Sequence, residues 1–445
     1  MKLNIKNFAK INEVNIIIDG ITVIAGENNT GKSTIGKILF TLFNAWSDIE
    51  ERIWNERFNE IENTNRIILQ KHLTDAGFSK SKVFVNARNT ARRITLNLRH
   101  KLKRMSFSEE YIRDSIERAI EGLENVHRPE EPEDWKDLID ELSLNTIEIL
   151  FIPEEVIARE TISRYFDDVF HGQINSLTQG CDEDTVLSLE IRGKRNQVLF
   201  RENQCAEFTD EIGISHQAIY IDNPFLIDEL SKYNDLNPMN QLLKNMLTND
   251  RKEYGMDGVI ETVRAKEKLN DIFRTLENVV DGEIITGRNG DDFYLKGHQF
   301  NEPISFYNLS TGMKSFVILK MLIEKGCIRE KDVVILDEPE IHLHPQWQIA
   351  YAELIVLLQK HFDLSVVVTT HSPYFVDAIN LFSCKYEIDS KVHYYLSSNV
   401  GNTVKMDDVT RKIDLIYQKM ASPIQMLNTL RYELNNQCAK VVSRL

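Results

Sequence analysis

Gly26-Glu27-Asn28-Asn29-Thr30-Gly31-Lys32-Ser33-Thr34 follows the apolar run Ile21-Thr22-Val23-Ile24-Ala25 and leads into a helix-forming stretch from Ser33 to Phe43. The loop has the pattern G-x-x-x-x-G-K-[ST] between a strand and a helix, the context that makes such a loop a phosphate cradle. Its glycines let backbone N–H groups turn toward phosphate oxygens, and the following helix offers its free N–H groups and its dipole to an anion. Gly26, Asn28, Asn29, Thr30, Gly31, Lys32, Ser33 and Thr34 are the expected nucleotide-binding set. Lys32 should reach the β- and γ-phosphates of ATP, and Ser33 should ligate Mg²⁺.

Three further pieces follow in a fixed order. Val333-Val334-Ile335-Leu336 is an apolar strand that ends in Asp337-Glu338. Ligands of α/β sheets bind at that end of a strand, so Asp337 is expected to hold Mg²⁺, directly or through water, and Glu338 to polarise the attacking water. About 20 residues earlier, Leu309-Ser310-Thr311-Gly312-Met313-Lys314 opens a helix. It offers a hydroxyl, a glycine N–H and a helix N-terminus, all suited to a γ-phosphate. Ser-Thr-Gly before a helix is by itself often only a cap; its place before the Asp337 strand gives it weight. Thr369-Thr370-His371, after the strand Leu364-Ser365-Val366-Val367-Val368, closes the series.

On these residues the chain resembles the ABC-class ATPases, and within them the OLD-type branch, relatives of the SMC and DNA-repair ATPases. The resemblance rests on Asn308-Leu309-Ser310-Thr311-Gly312, on Leu336-Asp337-Glu338-Pro339-Glu340-Ile341-His342-Leu343-His344-Pro345, and on Thr370-His371-Ser372-Pro373. It covers about residues 1–45 and 290–380 and matches the middle third only loosely. It implies an α/β fold: a P-loop ABC-type ATPase head with a large, mostly helical insertion between the glycine loop and the signature motif. It also implies a homodimer, or a higher even oligomer, in which two heads sandwich ATP. Ser310, Thr311, Gly312 and Lys314 of one copy would then face the glycine loop of the other. His371 matches the switch histidine that contacts the γ-phosphate, and 339–345 match the loop that crosses the dimer interface. Glu338, His371 and Lys32 are the expected catalytic residues. The family's glutamine loop has no assigned place here, with Gln173, Gln179, Gln197 and Gln204 all open. Many OLD-type proteins carry a TOPRIM nuclease, but only 74 residues follow His371 and no Asp-x-Asp pair lies among them. The chain is therefore similar to stand-alone ATPase subunits of bacterial anti-phage systems of the Septu type, whose nuclease or effector is a separate polypeptide. A transporter motor and an ATP-clamped DNA-repair-type module are the alternatives. A spacing near 300 residues between glycine loop and acids fits the transporter poorly.

The expected divisions are 1–45 and 281–385 for the two parts of the head, 46–280 for a mostly helical insertion with short hairpins, and 386–445 for a C-terminal helical extension. The 445 residues are 42% hydrophobic, enough for a sizeable core without disulfides, and the net charge of -15 opposes uniform coating of nucleic acid. Five scattered cysteines suit reduced thiols rather than a disulfide framework. No run approaches the roughly 18 apolar residues that span a bilayer, so a soluble cytoplasmic protein with no membrane association is expected.

Within 46–150 the charge splits. Ala76 to Ser108 has nine Lys or Arg and no acid, and Glu109 to Glu155 is dominated by acids. Ala91, Ile94, Leu98, Leu102 and Met105 fall on one helical stripe, with Arg88, Arg92, Arg99 and Lys103 beside it. A solvated basic edge is the simpler reading; a nucleic-acid-contacting surface over residues 80–104 is the sharper one. His342-x-His344 is read as part of the interface loop rather than as a metal pair, since zinc wants three or four ligands. Ile413, Ile416, Met420, Leu427, Leu430 and Leu434 form an apolar stripe whose default is core packing, with partner docking as the alternative.

Overall fold

Ile21–Gly26 (β3) is buried at every residue, as a central parallel strand covered on both faces must be. In the computed structural model it lies between β12 (Ser365–Thr370) and β13 (Val392–Val400), both parallel to it. β11 (Val333–Asp337) continues the parallel set beside β12, and β7 (Ala218–Ile221) forms its edge. On the other side β13 turns through Gly401, at φ +61°, into β14 (Thr403–Asp408). The antiparallel strands β1 (Lys2–Phe8), β2 (Ile11–Ile17), β4 (Thr185–Ile191), β5 (Lys194–Arg201) and β6 (Gln204–Thr209) complete an eleven-stranded sheet in the order β6-β5-β4-β1-β2-β14-β13-β3-β12-β11-β7. The structure describes residues 1–102, 108–124, 133–178, 183–232, 236–248, 271–287, 293–298, 301–420 and 426–432.

The described chain divides into two compact units, residues 48–161 and the remainder. The smaller unit contains α2 (Ile49–Asp75), α3 (Lys80–Leu102), α4 (Glu109–Glu124) and α5 (Glu133–Phe151). Its core takes Phe58, Ile61 and Leu69 from α2, Ala91, Ile94 and Leu98 from α3, and Ile112 and Ile116 from α4. The apolar stripe expected over 91–98 is thus the buried face of α3. Arg88 and Arg92 are exposed, while Arg99 donates to Asn55 Oδ1 and lies over the Phe58 ring. Lys103, Lys101 to Arg104 as side chains, Met105, Gln179 and Leu434 lie outside what is described.

The boundaries differ from the expected insertion over 46–280. Residues 185–209 and 218–221 pair into the main sheet, because β1 and β11 would otherwise expose open edges. The expected helical extension over 386–445 also gives way at 392–408, where the β13–β14 hairpin fills the gap between β3 and β2. Tyr395 on β13 accepts a 2.8 Å hydrogen bond from the Ile17 N–H. Of the stripe after 413, Ile416 is fully buried and Ile413 and Met420 pack against the core, but Leu427 and Leu430 are exposed.

Helix α1 (Lys32–Trp46) lies across the parallel strands. Asn44 Nδ2 donates 3.0 Å to Ala218 O. Close approach is allowed by Gly36: a Cβ there would stand 2.9 Å from Ile335 Cγ2 and 3.2 Å from the Tyr220 ring. Gly36→Val should therefore push α1 off the sheet and cost about 1–3 kcal/mol, the usual range for overpacking. Denaturant unfolding of the variant would show this as a lowered midpoint, whereas an unchanged midpoint would contradict the close packing.

Candidate nucleotide-binding and hydrolysis site

The parallel register sets the site. Asp337 pairs with Thr369, Leu336 with Ile221, and Thr370 with Ala25, so the carboxyl ends of β7, β11, β12 and β3 fall side by side. At the end of β3 the loop 27–31 turns through Asn29 at φ 61° and Gly31 at φ 75°. Thr30 Oγ1 donates 2.8 Å to Glu27 O, and Ser397 Oγ donates to Thr30 O, which fixes the loop's shape. Glu27, Asn28 and Asn29 are exposed and Ser33 and Thr34 half-buried at the first turn of α1. Lys32 is only 4% exposed. Its Nζ donates 2.9 Å to Glu27 O and lies 3.3 Å from Glu338 Oε1.

The acids at the end of β11 are held by hydroxyls. Tyr220 donates 2.7 Å to Asp337 Oδ2, and Thr369 Oγ1 donates to Asp337 Oδ1. Each carboxylate oxygen keeps a second lone pair. With the Ser33 hydroxyl this is a hard-oxygen donor set, which fits Mg²⁺ and suits no soft metal. Burial, and then the negative charge of Asp337, pushes the Tyr220 hydroxyl well above its ordinary value, so it stays a donor. Asp222, at the end of β7 beside Asp337, is also pushed up by burial and by that neighbour. Sequence reasoning missed Tyr220 and Asp222, and named Thr369 without its contact to Asp337. The short strand Ala218-Ile219-Tyr220-Ile221 was legible, but its neighbour in the sheet was not. The loop next to the Asp337 strand begins with Asp222-Asn223. Gln197 and Gln204 instead lie on β5 and β6, strands distant in the sheet order.

Glu338 sits in the left-handed region at φ 50°. A non-glycine residue there costs about 1–3 kcal/mol. Its N–H is held by Thr369 O at 3.1 Å and Thr369 Oγ1 at 3.0 Å. The carboxyl is kept below the usual range, chiefly by its polar contact with His371, with Lys32 adding to it. His371 Nδ1 lies 3.7 Å from Glu338 Oε1 and 3.6 Å from Glu340 Oε1. The same contact with Glu338, reinforced by Glu340, raises the pKa of the imidazole. Lys32, Asp337, Glu338 and His371 are thus brought together.

The Ser310 motif builds a separate feature. Ser310 caps α8 (Thr311–Glu324), its Oγ accepting from Met313 N at 3.4 Å. Ser310, Thr311 and Gly312 line a concave pocket of about 570 Å³ with His342, His344, Gln346 and Trp347. A Cβ on Gly312 would meet the Trp347 ring at 2.9 Å, so only glycine lets the helix tip and the indole meet. Lys314 departs from expectation. It is buried, and its Nζ binds both carboxylate oxygens of Asp228, at 2.7 and 2.6 Å. One turn into a buried helix, its charge needs an internal counter-ion and is not presented at the pocket. His342 packs edge-on to Phe225 at 5.5 Å, and His344 Nδ1 accepts from Gln346 N at 3.4 Å as the cap of α9 (Pro345–Phe362).

A glycine-loop lysine, a hydroxyl-held aspartate, a glutamate and a histidine at the carboxyl ends of adjacent parallel strands define a P-loop nucleoside-triphosphatase site. The chain belongs to the AAA ATPase domain family, which matches residues 1–376, and is an ATPase of the P-loop class. It is 33% identical over 139 residues to the Septu protein PtuA of Bacillus thuringiensis, a stretch making up 28% of this chain and 33% of that protein. It is 25% identical over 128 residues to a putative ABC transporter ATP-binding protein of Clostridium acetobutylicum, covering 29% of this chain and 43% of that one. The chain thus spans less than half the length of either curated relative. Similar solved structures include the SMC head domain from Thermotoga maritima, at 11% identity and a TM-score of 0.39 over 92% of this chain and 98% of that one. Another is an Smc head domain with an extended coiled coil bound to the C-terminal domain of ScpA, derived from Pyrococcus furiosus. Its identity is 11% and its TM-score 0.38, over 97% of this chain and 98% of that one.

Tyr220→Phe removes one hydroxyl from Asp337 without changing the ring. Losing an outer partner of a metal-holding carboxylate weakens metal affinity about 10–100-fold. The variant should need correspondingly more Mg²⁺ for half-maximal ATP hydrolysis; a wild-type Mg²⁺ titration would contradict the role given to Tyr220.

Proposed function

We propose that this chain is an ATP-gated switch: two copies close head to tail on ATP, hydrolyse it, and through that cycle control a partner effector in anti-phage defence. The carrying observation is a division of labour within one chain. The glycine loop, both acids and His371 share the carboxyl end of the parallel strands, while Ser310 and Gly312 line a pocket of their own with His342, His344, Gln346 and Trp347. A second copy gives that pocket a use. Its glycine loop would bring a γ-phosphate to the Ser310 hydroxyl and the N-terminus of α8, where an anion is favoured.

Catalysis in this reading is positioning and electrostatics. Loop N–H groups of 27–31 and the Lys32 ammonium bind the β- and γ-phosphates. Lys32 exchanges Glu27 O and Glu338 for phosphate oxygens, which frees the Glu338 carboxylate to orient water and take up its proton. His371 donates toward the γ-phosphate. Mg²⁺, held by Ser33 and Asp337, would neutralise charge on the phosphate oxygens. The pH dependence follows from the two shifts. Glu338 must be ionised, which its lowered pKa secures down into the acid range, and His371 loses its charge as pH rises through its raised pKa.

The likeness to PtuA supports the defence context and a separate effector. The partial likeness to a transporter ATP-binding protein is the one finding on the side of a transporter motor. Among the described residues no helix is long and apolar enough to cross a membrane. Co-purification with a membrane subunit would favour the transporter reading. Contact with nucleic acid through the exposed Arg88 and Arg92 of α3 remains part of the proposal's partner set.

Glu338→Gln keeps the shape and removes the base. Phosphate release should fall by about 10²-fold or more, the usual loss for a general base. ATP and Mg²⁺ should then hold the variant as a dimer on size-exclusion with light scattering. A variant that stays monomeric with saturating ATP would overturn the gated dimer, and one that releases phosphate at the wild-type rate would overturn the role of Glu338.

A further inference from the structure

Glu340 is the least expected charge in the site. It follows the acids by two residues, yet it is 2% exposed while Glu338 keeps 21% of its side chain in solvent. Its Oε1 accepts from Thr370 Oγ1 at 2.5 Å and from the His371 N–H at 2.9 Å. Its Oε2 is buried and has no hydrogen-bond partner among the described residues. The His371 N–H is a donor, and Thr370 Oγ1, which accepts from Ser372 N, has its proton free to donate, so the carboxylate form satisfies both contacts while burial pushes its pKa up. Glu340 Oε1, which already accepts two hydrogen bonds, lies 3.6 Å from His371 Nδ1, so the ionised group is a second counter-charge for that imidazole.

The surroundings hold that counter-charge rigidly. Thr370 Oγ1 also accepts from Ser372 N at 3.0 Å. Ser372 Oγ donates 2.7 Å to Gln348 Oε1, and Gln348 Nε2 reaches Leu343 O at 3.1 Å. The turn 370–372 is therefore tied to the loop 339–345 through Glu340 at one end and Gln348 at the other. Three charged groups face the His371 ring: Glu338 and Glu340 from the segment after β11, and Lys32 from α1. His371 Nδ1 stands almost midway between the two carboxylates.

We propose that Glu340 is a positioning residue for hydrolysis: it fixes the Thr370–His371 turn and shares the His371 ring with Glu338, so that His371 can leave Glu338 without losing its counter-charge. This rests on the hydrolytic roles given above to Glu338 and His371. Glu340 touches neither nucleotide nor water in this scheme. It acts by deciding how much of His371 is bound to the catalytic carboxylate.

The test uses the full chain carrying Glu340→Gln, with Glu340→Ala beside it. Glutamine keeps an oxygen for Thr370 and His371 N–H and removes the charge. Three measurements are made: melting temperature, the pH profile of kcat with KM for ATP, and the His371 titration followed by NMR of histidine-labelled protein, with His371→Asn to assign the signal. Glu340→Gln is expected to melt within about 3 °C of wild type, the scale of a loss of about 1 kcal/mol. Its KM should stay within about threefold while kcat falls about ten- to a hundredfold, the scale of a misplaced catalytic group. Because the Glu340 charge helps raise the His371 pKa, both that titration and the alkaline limb of kcat should move to lower pH. A Glu340→Gln variant with the wild-type His371 titration and kcat profile would overturn the proposal, even if Glu340→Ala is destabilised, since that pattern marks a merely structural group. A wild-type chain that hydrolyses no ATP would instead overturn the catalytic scheme on which it rests.

Discussion

The site depends on keeping one buried cation in balance. Lys32 is enclosed at the start of α1, where a bare ammonium would be costly, and a loop carbonyl and Glu338 supply its compensation. Glu338 answers to two cations at once, Lys32 and His371, and His371 answers to two carboxylates. These groups restrain one another until a stronger anion arrives. A triphosphate is such an anion, since several negative oxygens can take the lysine and the loop N–H groups together. In the proposed scheme binding and activation would be one event: the phosphate that draws Lys32 away would also release the carboxylate proposed to handle water.

A short chain of contacts joins the same end of the strands to α8. Asp222 begins a segment that runs directly into a 3₁₀ turn over Pro224–Glu229, and Asp228 on that turn grips Lys314 of α8. Phe225 on the same turn lies against both the Lys314 ammonium and the His342 ring. The strand end beside Asp337 is thus joined through a few short contacts to the helix that carries Ser310. The charge of Lys314, spent inside its own chain, serves this linkage rather than recognition of a neighbour's phosphate.

Much of this was legible in the sequence, and the reason is local. The cradle, the acids, the Ser310 cap and His371 are each short runs whose chemistry is set by residues adjacent in the chain. The parts that were hidden are products of sheet order. Tyr220 and Asp222 gained their meaning only when β7 paired with β11, and Thr369 only when its strand came into register with Asp337. Of the β13–β14 hairpin, the strand near Val392-His393-Tyr394-Tyr395 was legible within a tail read as helical, but its return across Gly401-Asn402 was not. Glu340 was read only as part of the loop 339–345, because burial cannot be read from a neighbour in sequence. The helical unit was recognised by its period and misjudged in extent, since strands 185–209 lie far from the partner, β1, that claims them.

The central claim is that a nucleotide held by one copy is completed by Ser310 of another. It is tested most directly by mixing chains carrying S310C with chains carrying N28C and adding a short thiol-to-thiol cross-linker, with and without ATP and Mg²⁺. The account predicts a product joining the two variants that forms with ATP, is lost with ADP, and is absent when either variant is cross-linked alone. A mixed product whose yield does not respond to ATP, or no mixed product while ATP is bound and hydrolysed normally, would contradict it.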